Sequence, residues 1–255
     1  MKKAVVVVLI LYFFQALIHN LGHPITPDYV VSLGIDNYMF GVFFAEMSFG
    51  LALGGLFWGV LGGKFNKKNL ILIGLLIYSS GQFVFGNVHN IWIMNIARLV
   101  SGFGVAGSVT LLLSYLVEKS DVNHRRRNIA YSAALMVAGA GLGYYIGGKI
   151  PVLLATDIMK QTELVFMIQA IVNTVFAFTV YFSLENCEMD YEKNSLTMID
   201  HVKSIRTLDT NLLIFLGSLT LTSIAAINLS KFTEVYIARL GYGSDGIGNF
   251  VGVTS

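Results

Sequence analysis

Two apolar runs in this chain are separated by a short basic turn, and this arrangement limits the folds that the chain can adopt. The turn extends from Lys64 to Asn69 and contains three lysines. A helix of about 20 residues spans the roughly 30 Å hydrocarbon core of a bilayer, because it rises about 1.5 Å per residue. A link of about six residues leaves no room for a domain. The two flanking helices must therefore fold back on each other across a membrane.

The composition supports a membrane location for the whole chain. Of the 255 residues, 55% are hydrophobic and 13% are charged, and the mean hydropathy is +0.68. Soluble domains usually carry about 25% charged residues. One cysteine, Cys187, excludes a disulfide framework, and no spacing typical of metal ligands is present. A net charge of +2 gives no reason to expect nucleic acid as a partner, and no motif indicates a cofactor.

The alternation of apolar runs and polar turns predicts an all-α polytopic membrane protein. Helices are expected at about 4–24, 38–62, 69–87, 91–117, 129–150, 163–184 and 211–230. Pro151 is expected to end the fifth helix. The polar segment 185–210 is interpreted as a cytoplasmic linker between a six-helix half (1–184) and the start of a second half (211–255). The chain is expected to stop within an eighth helix.

The positive charges indicate the orientation in the membrane. Cytoplasmic segments of membrane proteins carry an excess of lysine and arginine. With the N-terminus in the cytoplasm of a plasma-membrane protein, the outer segments hold only Lys149, Lys160, Lys231 and Arg239. The inner segments then hold Lys2, Lys3, Lys64, Lys67, Lys68, Lys119, Arg125, Arg126, Arg127, Lys193, Lys203 and Arg206.

The basic turn resembles the loop between the second and third helices of major facilitator superfamily transporters, whose pattern is G-x-x-x-D-R/K-x-G-R-R/K. Gly63 replaces the acidic residue, and Asn66 replaces the second glycine. In the family the acidic residue helps to latch the two halves of the transporter on the cytoplasmic side, so the substitution puts that latch in doubt. The matching positions are Gly59, Lys64, Lys67 and Lys68.

Two further helices carry similar motifs. The segment from Arg98 to Gly104 resembles the fourth-helix motif of the family, an arginine followed by closely spaced glycines. The segment from Gly143 to Gly148 resembles the G-P-x-x-G-G motif of the antiporter branch, with Tyr144 at the proline position. Small residues at every fourth position also allow helices to approach closely, so packing explains these glycines equally well. The fifth-helix glycines concerned are Gly139, Gly143, Gly147 and Gly148.

An internal repeat agrees with this resemblance. When the chain is shifted by 207 positions, five of fifteen residues after helix 7 are identical to residues after helix 1. The resemblance implies two six-helix halves related by a parallel repeat. The identical pairs are Tyr29, Leu33, Gly34, Gly41 and Phe43 with Tyr236, Leu240, Gly241, Gly248 and Phe250.

Glu46 and Arg98 are predicted to face one central cavity and to interact, directly or through water. They lie at nearly the same depth, about eight and seven residues from the outer ends of their helices. A charge in the hydrocarbon core costs at least about 2.5–3.5 kcal/mol on insertion scales, so it usually has a partner or faces water. A structural ion pair or a snorkelling arginine is the alternative. In the functional interpretation, protonation of Glu46 releases Arg98 and changes which state is favoured.

Other polar side chains on the apolar helices must face protein or water. His19 and His23 are one helical turn apart, with Gln15 one turn below His19, and a histidine could carry a proton. Hydrogen-bonded histidines that never titrate are the alternative. Gln169 and Asn173 form a second polar stripe that either packs helices or contacts substrate. Tyr144 and Tyr145 could line a cavity for an aromatic or amphipathic substrate.

The resemblance implies secondary transport of a small molecule by alternating access, with protons as the coupling ion. Drug or metabolite efflux by proton antiport is the first interpretation, and a proton-coupled nutrient importer of the same fold is the second. An intramembrane protease needs clustered carboxylates and histidines, which only Glu46 and the two helix-1 histidines could offer. A truncated, non-transporting remnant also stays open, because seven helices and a fragment do not enclose a path between two halves.

The orientation is tested with single-cysteine reporters in a Cys187→Ser background. We expect His89→Cys, in an outer turn, to react with a membrane-impermeant maleimide in intact cells. Arg126→Cys should react only after the cells are permeabilised, because the arginine triplet is expected in the cytoplasm. Labelling of Arg126→Cys in intact cells would contradict the predicted topology.

Overall fold

The computed structural model describes residues 2–36, 38–154, 157–186 and 208–254. These residues form nine α-helices and a short 3₁₀ helix, Val122–His124, and no β-strand occurs among them. Most of the predicted linker, residues 187–207, lies outside the described residues. The α-helices are α1 (Lys3–His19), α2 (Thr26–Ser32), α3 (Tyr38–Lys64), α4 (Lys67–Asn87), α5 (Ile91–Lys119), α6 (Arg125–Leu154), α7 (Ile158–Ser183), α8 (Thr210–Arg239) and α9 (Ser244–Thr254).

Six of the nine helices form one bundle. Helix α5 packs between α3 and α4, α4 also packs against α7, and α1 packs against α6. Helices α3 to α8 are long and apolar enough to span a membrane, and α1 is a shorter apolar helix of 17 residues. Helices α8 and α9 follow the bundle, and α9 packs along α6. The fold is therefore a six-helix membrane bundle followed by the start of a second bundle.

Glycines bring α3 and α5 into backbone contact. A Cβ atom on Gly50 would collide with the carbonyl oxygen of Leu99, and one on Gly102 would collide with that of Met47. On the other face of α5, a Cβ on Gly104 would lie 2.7 Å from the carbonyl oxygen of Gly74 in α4. Any larger residue at these positions would force the helices apart.

The fifth-helix glycines form two packing surfaces. A Cβ on Gly139, Gly143 or Gly147 would collide with a carbonyl oxygen of α1 or of the turn that follows it, at residues four positions apart. Gly148 lies on another face of α6 and packs against Gly248 of α9, where its Cβ would lie 3.0 Å from the Gly248 Cα. The carbonyl partners of the first three glycines are Phe13, Leu17 and Leu21.

Three helices end at residues other than those predicted, and the helices predicted to begin at residues 129 and 163 begin at Arg125 and Ile158. Helix α1 ends at His19 rather than at residue 24, and residues 20–25 form turns. Pro151 lies inside α6, which continues to Leu154. Since less than one further turn follows Pro151, the loss of one N–H hydrogen bond is tolerated. Helix α8 continues to Arg239 instead of ending near residue 230.

The internal repeat is visible in the backbone. Shifted by 207 positions, α8 corresponds to residues 3–32, which are α1, the following turns and α2. Both segments are followed by a glycine with positive φ, Gly34 at 65° and Gly241 at 86°, a conformation that favours glycine at a helix end. The first copy is thus broken near its centre, whereas the second copy is a continuous helix.

Close packing of α3 on α5 is tested with two alanine substitutions in the same helix. Gly50→Ala places a methyl group against the Leu99 carbonyl, and overpacking of this kind costs about 1–3 kcal/mol. The matched control is Gly41→Ala, because no atom lies within 4 Å of a Cβ at Gly41. We expect a lower thermal midpoint of the detergent-purified protein for Gly50→Ala and an unchanged or slightly higher one for Gly41→Ala. Equal midpoints would contradict the proposed backbone contact.

Candidate functional site

A central cavity of about 420 Å³ lies between α3, α8 and the turn that follows α1. Its wall combines apolar side chains with histidine, asparagine, serine and lysine, a mixture that suits a small molecule with apolar and polar parts. The lining residues are His19, Asn20, His23, Phe44, Met47, Ser48, Leu51, Ala226, Ile227, Ser230 and Lys231.

The break after α1 places both histidines on this cavity. The rings of His19 and His23 have centroids 5.6 Å apart, although only His19 is in the helix. His19 stacks on Tyr78 of α4, and His23 stacks on Tyr144 of α6 at 5.6 Å with an interplanar angle of 13°. The predicted proximity of the two histidines therefore occurs, and each ring is held by a tyrosine.

A buried charge pair that the sequence did not reveal borders the cavity. Lys231 Nζ lies 2.5 Å from Glu234 Oε1, one turn along α8, and the Glu234 side chain is fully buried. The hydroxyl group of Tyr144 donates to the same carboxylate oxygen at 2.7 Å, and the Lys231 ammonium donates to the Tyr144 hydroxyl. The other carboxylate oxygen of Glu234, Oε2, has no hydrogen-bond partner among the described residues.

Lys231 was assigned to an outer segment, and this assignment was wrong. The polar residues near position 230 were interpreted as the end of a helix, but α8 continues for two more turns. Lysine and glutamate at i and i+3 would have shown a shared helix face if the helix had been extended. The Lys231 ammonium also lies 4.8 Å from the ring centre of Phe44, so aromatic faces complete its surroundings.

Arg98 is buried and is held by neutral groups. Its guanidinium carbon lies 3.4 Å from the ring centre of Phe85. Its Nη1 donates to Gln82 Oε1 at 3.5 Å, and Gln82 is also on α4. No ion pair within 4.0 Å connects Arg98 with Glu46, both of which are described. The predicted direct contact is therefore absent.

Glu46 lies at the edge of the α3 face that contacts α5. That face is formed by Phe43, Met47 and Gly50, and residue 46 is about 100° from residue 47 around the helix. Glu46 is partly exposed, its Oε2 has no hydrogen-bond partner among the described residues, and it does not line the central cavity. Equal depth in the membrane did not imply a shared direction. A connection to Arg98 through water stays a prediction.

The remaining polar stripe residues bind neighbouring helices. Gln15 Nε2 donates to Ser108 Oγ at 2.6 Å. Asn173 Nδ2 donates to the Leu75 carbonyl at 2.9 Å. Gln169 Nε2 donates to the Ile18 and His19 carbonyls at 2.8 and 2.9 Å. These contacts favour the packing interpretation of Gln15, Gln169 and Asn173 over direct substrate contact.

Tyr145 lies apart from the central cavity. Its side chain is 47% exposed, and the Lys149 ammonium lies 5.8 Å from its ring centre. Consecutive residues point about 100° apart around a helix. Since Tyr144 points to α8, Tyr145 points elsewhere, and only one of the two predicted tyrosines is near the cavity.

The basic turn is joined to the rest of the first bundle. The link between α3 and α4 is only Phe65 and Asn66, because Lys64 ends one helix and Lys67 begins the next. Asn66 caps α4 by accepting a hydrogen bond from the Lys68 N–H at 3.2 Å. Lys67 pairs with Glu118 at the end of α5 at 2.5 Å. Of the motif glycines, Gly59 and Gly63 belong to the last turns of α3.

At the end of the bundle opposite the basic turn, the first bundle also contacts the beginning of α9. The Ser244 N–H donates a hydrogen bond to the Asp28 carboxylate of α2, and the Ser244 hydroxyl donates to the Gly148 carbonyl at 3.3 Å. Burial raises the pKa of the Asp28 carboxyl to about 6; the Ser244 hydrogen bond opposes this rise, and the Asp245 carboxylate adds to it. The described contacts of α9 with α6 thus join the first bundle to the start of the second bundle at this end.

Metal chemistry has no support in the described part of the chain. It contains no group of three or more histidine, cysteine, aspartate or glutamate side chains that could hold a metal ion. Glu234 instead contacts Lys231 and Tyr144, and His19 and His23 stack on tyrosines.

Known proteins are similar to this chain at several levels. A segment of 144 residues is 28% identical to the Quinolone resistance protein NorA of Staphylococcus aureus (strain MRSA252), covering 55% of this chain and 37% of NorA. A segment of 150 residues is 23% identical to Multidrug resistance protein 2 of Bacillus subtilis (strain 168), covering 58% of this chain and 38% of that protein. The matched segments thus span well under half of these relatives.

A solved structure and a family model extend the similarity to nearly the whole chain. The crystal structure of a D-xylose-proton symporter superposes with a TM-score of 0.53 at 15% identity, covering 98% of this chain and 64% of that chain. At this identity the match concerns the fold alone. The model of the Major Facilitator Superfamily matches residues 8–255. Because that model spans almost the entire sequence, the chain belongs to the Major Facilitator Superfamily.

Proposed function

We propose that this chain forms part of a proton-coupled secondary transporter that exports amphipathic small molecules across the plasma membrane. The observation that carries the proposal is the pair of Lys231 and Glu234, with Tyr144, beside the central cavity. Ionisable groups inside a membrane protein are rare and usually belong to a substrate or proton pathway. In this proposal the N-terminus lies in the cytoplasm, which the charge distribution supports.

Glu234 is the proton acceptor in this proposal. Its Oε2 has no hydrogen-bond partner among the described residues, so a proton can bind there without displacing Lys231 or Tyr144 from Oε1. Protonation removes the negative charge that balances the Lys231 ammonium. A buried ammonium without a counter-charge is unfavourable, so the state that exposes Lys231 to water or to an anionic group of the substrate becomes favoured.

In this proposal, alternating access is explained by the position of this pair between the two halves. Lys231 and Glu234 belong to α8, the first helix of the second half, whereas Tyr144 and Phe44 belong to the first half. Proton binding therefore alters a contact between the halves. The outer contact of α9 with α6 closes the outer side in this state, and its separation opens that side in the other state.

Export is favoured over import by two of the relatives, whose names refer to quinolone and multidrug resistance. The similarity to the xylose-proton symporter concerns the fold and leaves the importer as the second candidate. Glu46 and Arg98 are secondary residues in the proposal. Arg98 lines a small cavity with His23 and Met47, next to the central cavity.

Glu234→Gln tests the proton acceptor, using the longest open reading frame that contains these residues. We expect proton-driven transport in proteoliposomes to fall by about tenfold or more, since the coupling between proton and substrate is lost. Substrate counterflow, which needs no proton gradient, should be retained. The matched control is Glu163→Gln, because Glu163 is a partly exposed carboxylate that pairs with His89 outside the cavity. Equal losses of driven transport in both variants would refute the assigned role of Glu234.

The direction of transport is tested with a panel of amphipathic dyes in inside-out vesicles. An exporter driven by proton antiport should accumulate dye when the vesicle interior is acidic, because protons leave as dye enters. A symporting importer should instead expel preloaded dye together with the protons under the same gradient. Expulsion of preloaded dye without any accumulation of dye would contradict the exporter and support the importer.

A further inference from the structure

A second cavity, of about 340 Å³, lies at the opposite end of the bundle from the Asp28 contact, where α1 and α6 begin and α5 ends. We name it the basic cavity, because four of its seven lining residues carry basic side chains. These are Lys2, Lys119, His124 and Arg127.

We propose that the basic cavity binds the phosphate headgroup of an anionic membrane lipid. All four basic residues lie at helix ends or in the connection between α5 and α6, which is the level at which the helices leave the hydrocarbon core. Basic pockets at this level are suited to anionic headgroups, whose phosphates they meet without a long approach through water.

The positive charge of the basic cavity is only partly balanced. Its one acidic residue, Asp121, pairs with Lys2 at 2.7 Å. The hydrogen bond from the Lys2 ammonium holds the pKa of the Asp121 carboxyl below its usual value, so this carboxylate stays ionised and engaged. Lys119 and Arg127 have no acidic partner within 4.0 Å among the described residues. The side chains of Lys119 and Arg127 therefore remain for a ligand.

The floor of the basic cavity adds hydrogen-bonding capacity. Asn128 is 2% exposed, and its Nδ2 donates to Ser120 Oγ at 2.9 Å. Its Oδ1 has no hydrogen-bond partner in the part of the chain that the structure describes. A buried amide oxygen without a partner is unfavourable, and a hydroxyl donor from a headgroup would satisfy it after a small side-chain adjustment.

Nearby apolar side chains favour a lipid over a soluble phosphate. Val5 lines the cavity. Val122 and Ile129, on either side of the arginine triplet, are 78% and 37% exposed. Exposed apolar groups beside a basic cavity match a molecule with a charged headgroup and an apolar chain. Phosphatidylglycerol has these features together with two headgroup hydroxyl groups.

Native mass spectrometry of the detergent-purified protein tests the proposal with dioctanoyl phosphatidylglycerol as the probe. We expect one lipid to bind more tightly than dioctanoyl phosphatidylcholine. Lys119→Gln combined with Arg127→Gln should weaken phosphatidylglycerol binding by about 10- to 30-fold, because two cations near the headgroup are lost. The control, Lys3→Gln with Arg126→Gln, removes equal charge from the same membrane surface outside the cavity and should change binding by no more than about twofold.

Each other outcome overturns the proposal. Equal weakening by both double variants would show general surface attraction, and equal binding of the two lipids would show that no anionic headgroup is recognised. Displacement of the lipid by excess inorganic phosphate would identify a soluble anion as the ligand. If the glutamine pair fails to fold, Arg127→Gln alone, at an exposed position, should still weaken binding by several-fold, and Lys119→Arg with Arg127→Lys should restore it.

Discussion

Backbone contact between helices, which glycine permits, is the constraint on which the rest of this structure depends. Lipid tails are as apolar as leucine, so apolar burial alone associates helices weakly in a bilayer, and close packing must contribute. In α5, Gly102 contacts the backbone of α3, and Gly104 contacts that of α4. Arg98 is one turn before Gly102, so the same contacts fix the direction of its side chain. It meets Phe85 and Gln82 of α4 because α5 has no freedom to rotate.

Polar side chains also stabilise the bundle, because they satisfy backbone groups that a helix end leaves unpaired. A helix that ends inside a membrane protein leaves backbone carbonyls that lipid cannot satisfy. The end of α1 is such a place, and Gln169 of α7 donates to the carbonyls of Ile18 and His19. This amide makes the break after α1 tolerable, and the break directs His19 and His23 to the central cavity. The second copy of the repeat has no comparable break, and α8 presents Lys231 to the same cavity from a continuous helix. The two copies of the repeat therefore contribute different structures to the cavity wall, a broken helix in the first copy and a continuous helix in the second.

The sequence predicted the features that depend on local composition and missed those that depend on distant partners. The apolar runs predicted the membrane-spanning helices. The spacing of His19 and His23 predicted that their rings lie close together, because side chains four residues apart are neighbours in a helix or just beyond its end. The position of Lys231 was missed because the predicted helix ended near residue 230, which separated it from Glu234 three residues along the same helix, and because Tyr144 is 87 residues away on another helix. The direct contact of Glu46 with Arg98 failed for a related reason. Counting residues from a helix end gives depth, but the rotation of each helix is set by packing.

Arg98 and Lys231 differ in a way that bears on the proposed proton coupling. Arg98 is held by an aromatic ring and an amide, and a guanidinium group does not lose its proton in proteins, so a change in pH leaves its contacts unaltered. Lys231 is balanced by a carboxylate, and a single proton on Glu234 changes that balance. A proton-sensitive contact within one half would stabilise or destabilise that half alone. The pair of Lys231 and Glu234 instead meets Tyr144 across the boundary between the halves. In the proposed mechanism, a proton bound there acts on the relative position of the two halves, which is the quantity that alternating access must change.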